Sequence, residues 1–174
     1  MFALNEVIKK VIPEKYLDDN TKILINQSGS FIIGVFWADS GTTGRKLVSD
    51  TYGGMGRIGG GALASKDPSK VDRSGAYYAR YVAKNVVYHG YADICEIQVF
   101  YVIGCSNPLS LYVDTKGANK VPLKQIYQYI NDNFDFSVQN IIDELDLLRP
   151  IYYNLACYGQ MGRSDLDLTW EKIK

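Results

Sequence analysis

At 174 residues the chain has the length of one domain, and 47% hydrophobic residues, with 14 tyrosines among them, are enough for a packed core. Nineteen basic residues balance nineteen acidic ones, so no global charge draws the chain to nucleic acid or to a membrane surface. No apolar run approaches the roughly 20 residues of a membrane span, and F-A-L-N-E-V-I-K-K is not laid out like a signal peptide, so a cytoplasmic location is expected.

In chain order, Leu4, Val7, Ile8, Val11 and Ile12 recur at three and four and predict a short helix that Pro13 closes. Lys22 to Asn26 and Phe31 to Gly34 read as two strands around Q-S-G-S. T-G-R-K-L-V-S-D, from Thr42 or Thr43, fits a short helix or a strand, and periodicity does not separate the two. Gly53 to Gly61 is too rich in glycine for an ordered element and is expected to be a loop.

Ala79, Val82, Ala83, Val86 and Val87 form the clearest helical stripe, with Asp72 or Ser74 as the expected N-cap and Gly90 as the stop. Ile94 to Gly104 and Leu109 to Thr115 are expected to pair as antiparallel strands. Helices follow over Pro122 to Phe134, on Leu123, Ile126, Tyr127 and Ile130, and over Ser137 to Leu148, with Ser137 as N-cap and Val138, Ile141, Ile142 and Leu145 inward. Ile151 to Cys157 is a last strand candidate. Paired strands with helices between them predict an α+β fold, a two-layer antiparallel or mixed sheet with helices on one face.

Charge is unevenly spread. Asp39 to Arg80 carries seven basic residues (Arg45, Lys46, Arg57, Lys66, Lys70, Arg73, Arg80) against four acidic, whereas Asn131 to Lys174 carries eight acidic against four basic. A local basic region containing a glycine-rich turn suits a small anionic ligand, because glycines let backbone N–H groups come close and cations neutralise the charge. Gly54-Met55-Gly56-Arg57-Ile58-Gly59 fits G-x-G-x-x-G, but it runs on through further glycines to Pro68 instead of opening a helix, which excludes a dinucleotide fold. A Walker A loop fails because Ser65, not glycine, precedes Lys66.

Cys95, Cys105 and Cys157 lie far apart with no C-x-x-C, and are expected to be buried reduced thiols. His89 is the only histidine, near a helix end, so surface or C-cap duty is expected and a Ser-His-Asp arrangement is not.

The stretch from Asp39 to Asp72, followed by V-D-R-S-G-A-Y-Y-A-R-Y-V-A-K-N, resembles S-adenosylmethionine synthetases (methionine adenosyltransferases). The resemblance extends through S-G-S-F-I-I-G, I-Q-V-F-Y-V-I-G, L-D-L-L-R-P-I-Y and C-Y-G-Q-M-G-R. It covers only the C-terminal part of such enzymes, and their N-terminal G-H-P-D-K segment has no counterpart here.

The resemblance implies the C-terminal unit of that fold as one domain over 1–174, an N-terminal helix and connector over 1–20 leading into the unit at 21–174. It implies catalytic phosphate contacts at Arg45, Lys46 and Lys66, an adenine contact at Phe31 and a backbone contact with ATP at Ala62. It further implies methionine contacts at Lys70 and Asp39, and a Mg²⁺ ligand at Asp72, with K⁺ held by the missing region. Departures fall beside Asp39: Val35, Phe36, Trp37 and Ala38 replace a small glycine–proline turn, Ser30 stands where arginine is common, and Gln160-Met161 replace a His-Phe pair. The expectation is a subunit of a hetero-oligomeric synthetase, inactive alone, whose partner is a homologous subunit carrying G-H-P-D-K; the alternative is a non-catalytic scaffolding homologue.

Overall fold

The structure, a computed structural model, describes residues 2–25, 32–34, 37 and 44–174. The chain divides into two compact units, Met1–Gly41 and Thr42–Lys174. Among the described residues no helix is long and apolar enough to cross a membrane.

In the first unit a π-helical turn, Leu4–Ile8, runs into α1, Lys9–Val11. Ile12 leaves the helix with extended backbone ahead of Pro13, as the proline requires, and a 3-10 turn follows at Glu14–Tyr16. No residue of this helix is buried, and Val7 and Val11 of the predicted stripe are 51% and 75% exposed. Residues 22–25 and 32–34 are not strands, in contrast to the expectation, and 26–31 lie outside the described residues. A β-prone run becomes a strand only with a ladder partner, and these residues have none among the described residues.

The second unit is organised by α3, Val71–Tyr88, which follows the short helix α2, Leu47–Asp50. Every third or fourth residue of α3 is apolar or aromatic, and Tyr77, Tyr78, Val82 and Val86 are fully buried. The helix ends at His89, its C-cap, with Gly90 and Tyr91 N–H groups bonded back to the Val87 and Val86 carbonyls, so Gly90 is the stop that its position predicted. The N-cap is a correction: it is Lys70, not Asp72 or Ser74. Asp67 binds the Ser69 amide at 2.9 Å and winds the chain inward early, so helical geometry is already set when Asp72 is reached.

Against α3 packs an antiparallel pair, β1, Glu96–Phe100, and β2, Ser110–Asp114, in the register Glu96↔Asp114 to Phe100↔Ser110. It is the only sheet among the described residues, so the observed architecture is helices plus a small two-stranded sheet. Val113 points inward while Gln98, Phe100 and Tyr112 are exposed.

Helix α4, Leu123–Asn133, buries Ile126 and Ile130, and its Tyr127 hydroxyl accepts the Val113 amide at 2.9 Å. Leu123, expected inward, is 42% exposed at the helix start. Helix α5, Val138–Glu144, begins after Ser137 as predicted, although that hydroxyl donates to Asp135 instead of capping the helix. It stops well short of Leu148 because the chain turns left-handed at Asp146.

Ile151 to Cys157 is not a strand. It forms a turn and a 3-10 segment, Asn154–Ala156, which buries Leu155 while the Tyr152 hydroxyl bonds the Leu147 carbonyl. The C-terminal tail closes the core through Trp170, which stacks on Tyr77 at 3.9 Å and 4° and donates its indole N–H to the Gln160 carbonyl. The cysteine expectation also fails: all three are free, but Cys105 and Cys157 are exposed and only Cys95 is part-buried, its thiol pushed up to about 12 by burial.

Candidate functional site

Two close approaches build the candidate site. Gly44, with φ +76°, lies so near Ala64 that a Cβ would sit 2.1 Å from the alanine's own, which brings the segment holding Arg45 and Lys46 onto the chain leading into Lys66. Gly61 packs against the carboxylate of Asp72, where a Cβ would fall 2.1 Å from Cγ. Between them Ser65 takes a left-handed backbone, φ +64°, an uncommon conformation for a residue with a side chain, directly before Lys66.

Within this frame Lys66 Nζ meets Asp72 Oδ2 at 2.5 Å, with the side chains 29% and 48% exposed. Asp72 lies in the first turn of α3, where the helix dipole favours its charge. Lys70 Nζ lies 3.4 Å from Asp67, whose carboxyl the Ser69 hydroxyl and amide hold down at about 2. Arg45 and Lys46 are exposed, just ahead of α2, and make no ion pair or side-chain hydrogen bond among the described residues. Ala62 is half-buried beside Leu63.

The seven basic residues of the Asp39 to Arg80 stretch therefore separate by role. Arg57 is spent on structure: it bonds Glu96 at 2.6 Å and Asp114 at 2.9 Å. Those carboxylates face each other across the β1–β2 ladder, and the guanidinium between them offsets a like-charge pair while strapping the glycine loop to the hairpin. Asp114 is held below the usual carboxylate range first by the Lys116 amide and then by Arg57. Arg80 and Lys84 both bind Glu171, at 3.1 and 3.0 Å. Burial alone would raise the Glu171 carboxyl, but hydrogen bonds from Arg80, the Gly162 amide and Lys84 outweigh it, and the net shift is downward.

Arg73 is buried, 4% exposed, with Nη1 donating to the Lys66 carbonyl and Nε to the Tyr77 hydroxyl, each at 2.9 Å. The local basic region expected to suit a small anionic ligand thus narrows to Arg45, Lys46, Lys66 and Lys70. Phe31 and Asp39 lie outside the described residues, as do Val35, Phe36, Ala38 and Ser30; Trp37 is described and is 81% exposed. Among the described residues no group of three or more histidine, cysteine or acidic side chains could hold a metal ion.

Sequence reasoning missed the buried set of Arg73, Tyr77 and Gln160. The spacing of Arg73 and Tyr77, four apart on α3, was a local signal. Gln160, which accepts from the Tyr77 hydroxyl across 83 residues, stood out only as a departure from the family pattern, with nothing to tie it to Tyr77.

The family profile described as "S-adenosylmethionine synthetase, C-terminal domain" matches residues 33–172. The chain is 53% identical over 167 residues to the S-adenosylmethionine synthase of Finegoldia magna, covering 96% of this chain and 43% of that protein. It is 53% identical over 169 residues to that of Syntrophobacter fumaroxidans, and 54% identical over 168 residues to that of Oenococcus oeni, each covering 97% of this chain and 43% of the relative. The chain therefore spans less than half the length of these curated relatives.

Proposed function

The chain belongs to the S-adenosylmethionine synthetase family, as its C-terminal domain, and from that premise we propose that it supplies the phosphate-binding half of a shared active site. The reaction would be attack of methionine sulfur on C5′ of ATP, displacing triphosphate, which is then hydrolysed to diphosphate and phosphate. The observation that carries this reading is that Arg45 and Lys46, which make no ion pair among the described residues, follow directly on Gly44, whose close approach to Ala64 brings their segment onto the chain leading into the ion-paired Lys66 and Asp72. Little acid–base work is needed at sulfur. The protein's task is to align two reactants and to meet the negative charge that leaves with the triphosphate.

Arg45 offers a planar fork and Lys46 a point charge to one extended anion. Lys66 is positioned to exchange Asp72 for a phosphate oxygen, which leaves the carboxylate free. A single exposed carboxylate beside phosphate oxygens suits Mg²⁺, which binds through one or two carboxylates and keeps the rest of its shell for water and phosphate. When bound it would neutralise triphosphate charge. The K⁺ ion is assigned to the complementary region. Phe31 and Ala62 are assigned to the adenosine side, and Lys70 and Asp39 to methionine.

The partner is a homologous synthetase subunit carrying G-H-P-D-K, giving a hetero-oligomer in the cytoplasm. Assaying S-adenosylmethionine formation with the chain alone and with such a subunit tests the reading: activity only in the mixture is expected, and robust activity alone would contradict it. A scaffolding role would rest instead on the exposed outer face of the hairpin, with Phe100 43% and Tyr112 50% exposed. Lys66→Ala or Asp72→Asn in the mixture separates the two, because a scaffold tolerates both.

A further inference from the structure

Arg45 and Lys46 lie ahead of α2, whereas Lys66 lies about twenty residues on, in a loop with a left-handed residue at its start. Two groups on separate segments can grip one anion only if something holds the segments in register, and a continuous set of buried contacts does so here. The Asp50 carbonyl, at the end of α2, accepts the Gln160 amide at 2.8 Å. Gln160 is 1% exposed, and its side-chain carbonyl accepts the Tyr77 hydroxyl. Tyr77 in turn accepts from Arg73 Nε at 2.9 Å, and Arg73 Nη1 donates to the Lys66 carbonyl at 2.9 Å. The guanidinium is also held over the Tyr152 ring, 4.2 Å from its centroid. Every member is fixed by a second contact: Tyr77 by the Trp170 stack, Gln160 by the Trp170 indole, and Tyr152 by the Leu147 carbonyl.

We infer that Arg73 is a positioning residue, which through Tyr77 and Gln160 fixes the distance between the Arg45–Lys46 segment and Lys66 and so sets the affinity of the site for a polyphosphate. It is assigned no ligand contact of its own, since the residue is 4% exposed and its Nη1 and Nε donate to the Lys66 carbonyl and the Tyr77 hydroxyl. A buried arginine aimed at a backbone carbonyl is costly to desolvate. That cost is understandable where the carbonyl belongs to a left-handed turn whose next side chain must point in one direction. The inference rests on the phosphate-binding reading proposed above and adds how that site is tuned.

The test uses the full chain and inorganic tripolyphosphate, with and without Mg²⁺, in titration calorimetry. Tyr77→Phe removes one hydroxyl, keeps the ring that stacks on Trp170, and is expected to fold; Arg73→Lys serves as the conservative companion. Loss of the hydroxyl, and with it the bonds from Arg73 and to Gln160, should weaken tripolyphosphate roughly 3- to 10-fold in Tyr77→Phe, with Arg73→Lys falling between it and the parent. In a Lys66→Ala background Tyr77→Phe should change affinity no further, because the group it positions is gone. A purely structural role predicts a lower Tm with unchanged affinity per folded molecule, and that result in Tyr77→Phe overturns the inference while leaving the phosphate site intact. Failure of the parent chain to bind tripolyphosphate overturns the phosphate reading itself, and the inference with it.

Discussion

The two sides of α3 are built on different terms. Where the helix meets the C-terminal tail, large side chains are buried and doubly anchored: Trp170 on Tyr77 and Gln160, Tyr78 on Glu144 between the edges of Phe134 and Phe136. At its N-terminal end, the stretch from Gly44 to Asp72 is thin and polar, with left-handed turns and exposed cations. The tail side contributes stability, and the glycine-rich side accepts cost for the sake of close approach. Arg73 belongs to both, since it is buried with the aromatics and bonded to the loop.

If that division holds, substitutions should sort sharply. The largest effect is expected at Trp170→Ala, which removes a fully buried ring and its hydrogen bond and should cost about 3–5 kcal/mol in urea unfolding. Acid comes next. Glu171 and Glu144 are both held below their ordinary value of 4.5 although burial opposes this, Glu144 by Lys174, Tyr78 and Asn140. A depressed folded pKa means the unfolded chain binds the proton more readily, so their contribution is present above 4.5 and is lost as pH falls through the folded values. Thermal melts across pH 6 to 3 should show this, and Glu171→Gln should flatten the acid limb; an unchanged limb would remove Glu171 from the account.

Arg57→Ala should cost less, because the guanidinium itself is 65% exposed and water screens its pairing. The deficit arises from two carboxylates left facing each other, and it should shrink as salt is raised. Smallest is Lys66→Ala, expected within about 0.5 kcal/mol of the parent in stability, because its partner Asp72 is 48% exposed and water can replace the lysine there. A Lys66→Ala change that destabilises as much as Trp170→Ala would erase the distinction between the two sides.

The stable side was the more legible in the sequence. The helix with Val82 and Val86 inward, the Gly90 stop and the antiparallel pairing of β1 with β2 follow from periodicity and turn chemistry within short windows, although Val87 of the expected stripe is 37% exposed. Ile151 to Cys157 misled because its residues suit a strand, and only the core beneath Leu155 decides for a 3-10 turn. The capping of α3 misled because an Asp67–Ser69 turn outside the helix competes with any cap inside it. At the site, residue chemistry pointed to Lys66 and Asp72, and the fold puts them in contact. It could not separate the cations that remain exposed from Arg57, Arg73 and Arg80, whose partners Glu96, Gln160 through Tyr77, and Glu171 are far along the chain.

The central claim, that this chain itself carries a phosphate site built on Lys66, is tested most directly by ³¹P NMR of Mg-ATP titrated with the purified chain. The account predicts that the β and γ resonances broaden or shift with the parent and much less with Lys66→Ala. Equal changes with both proteins, or none with either, would contradict it.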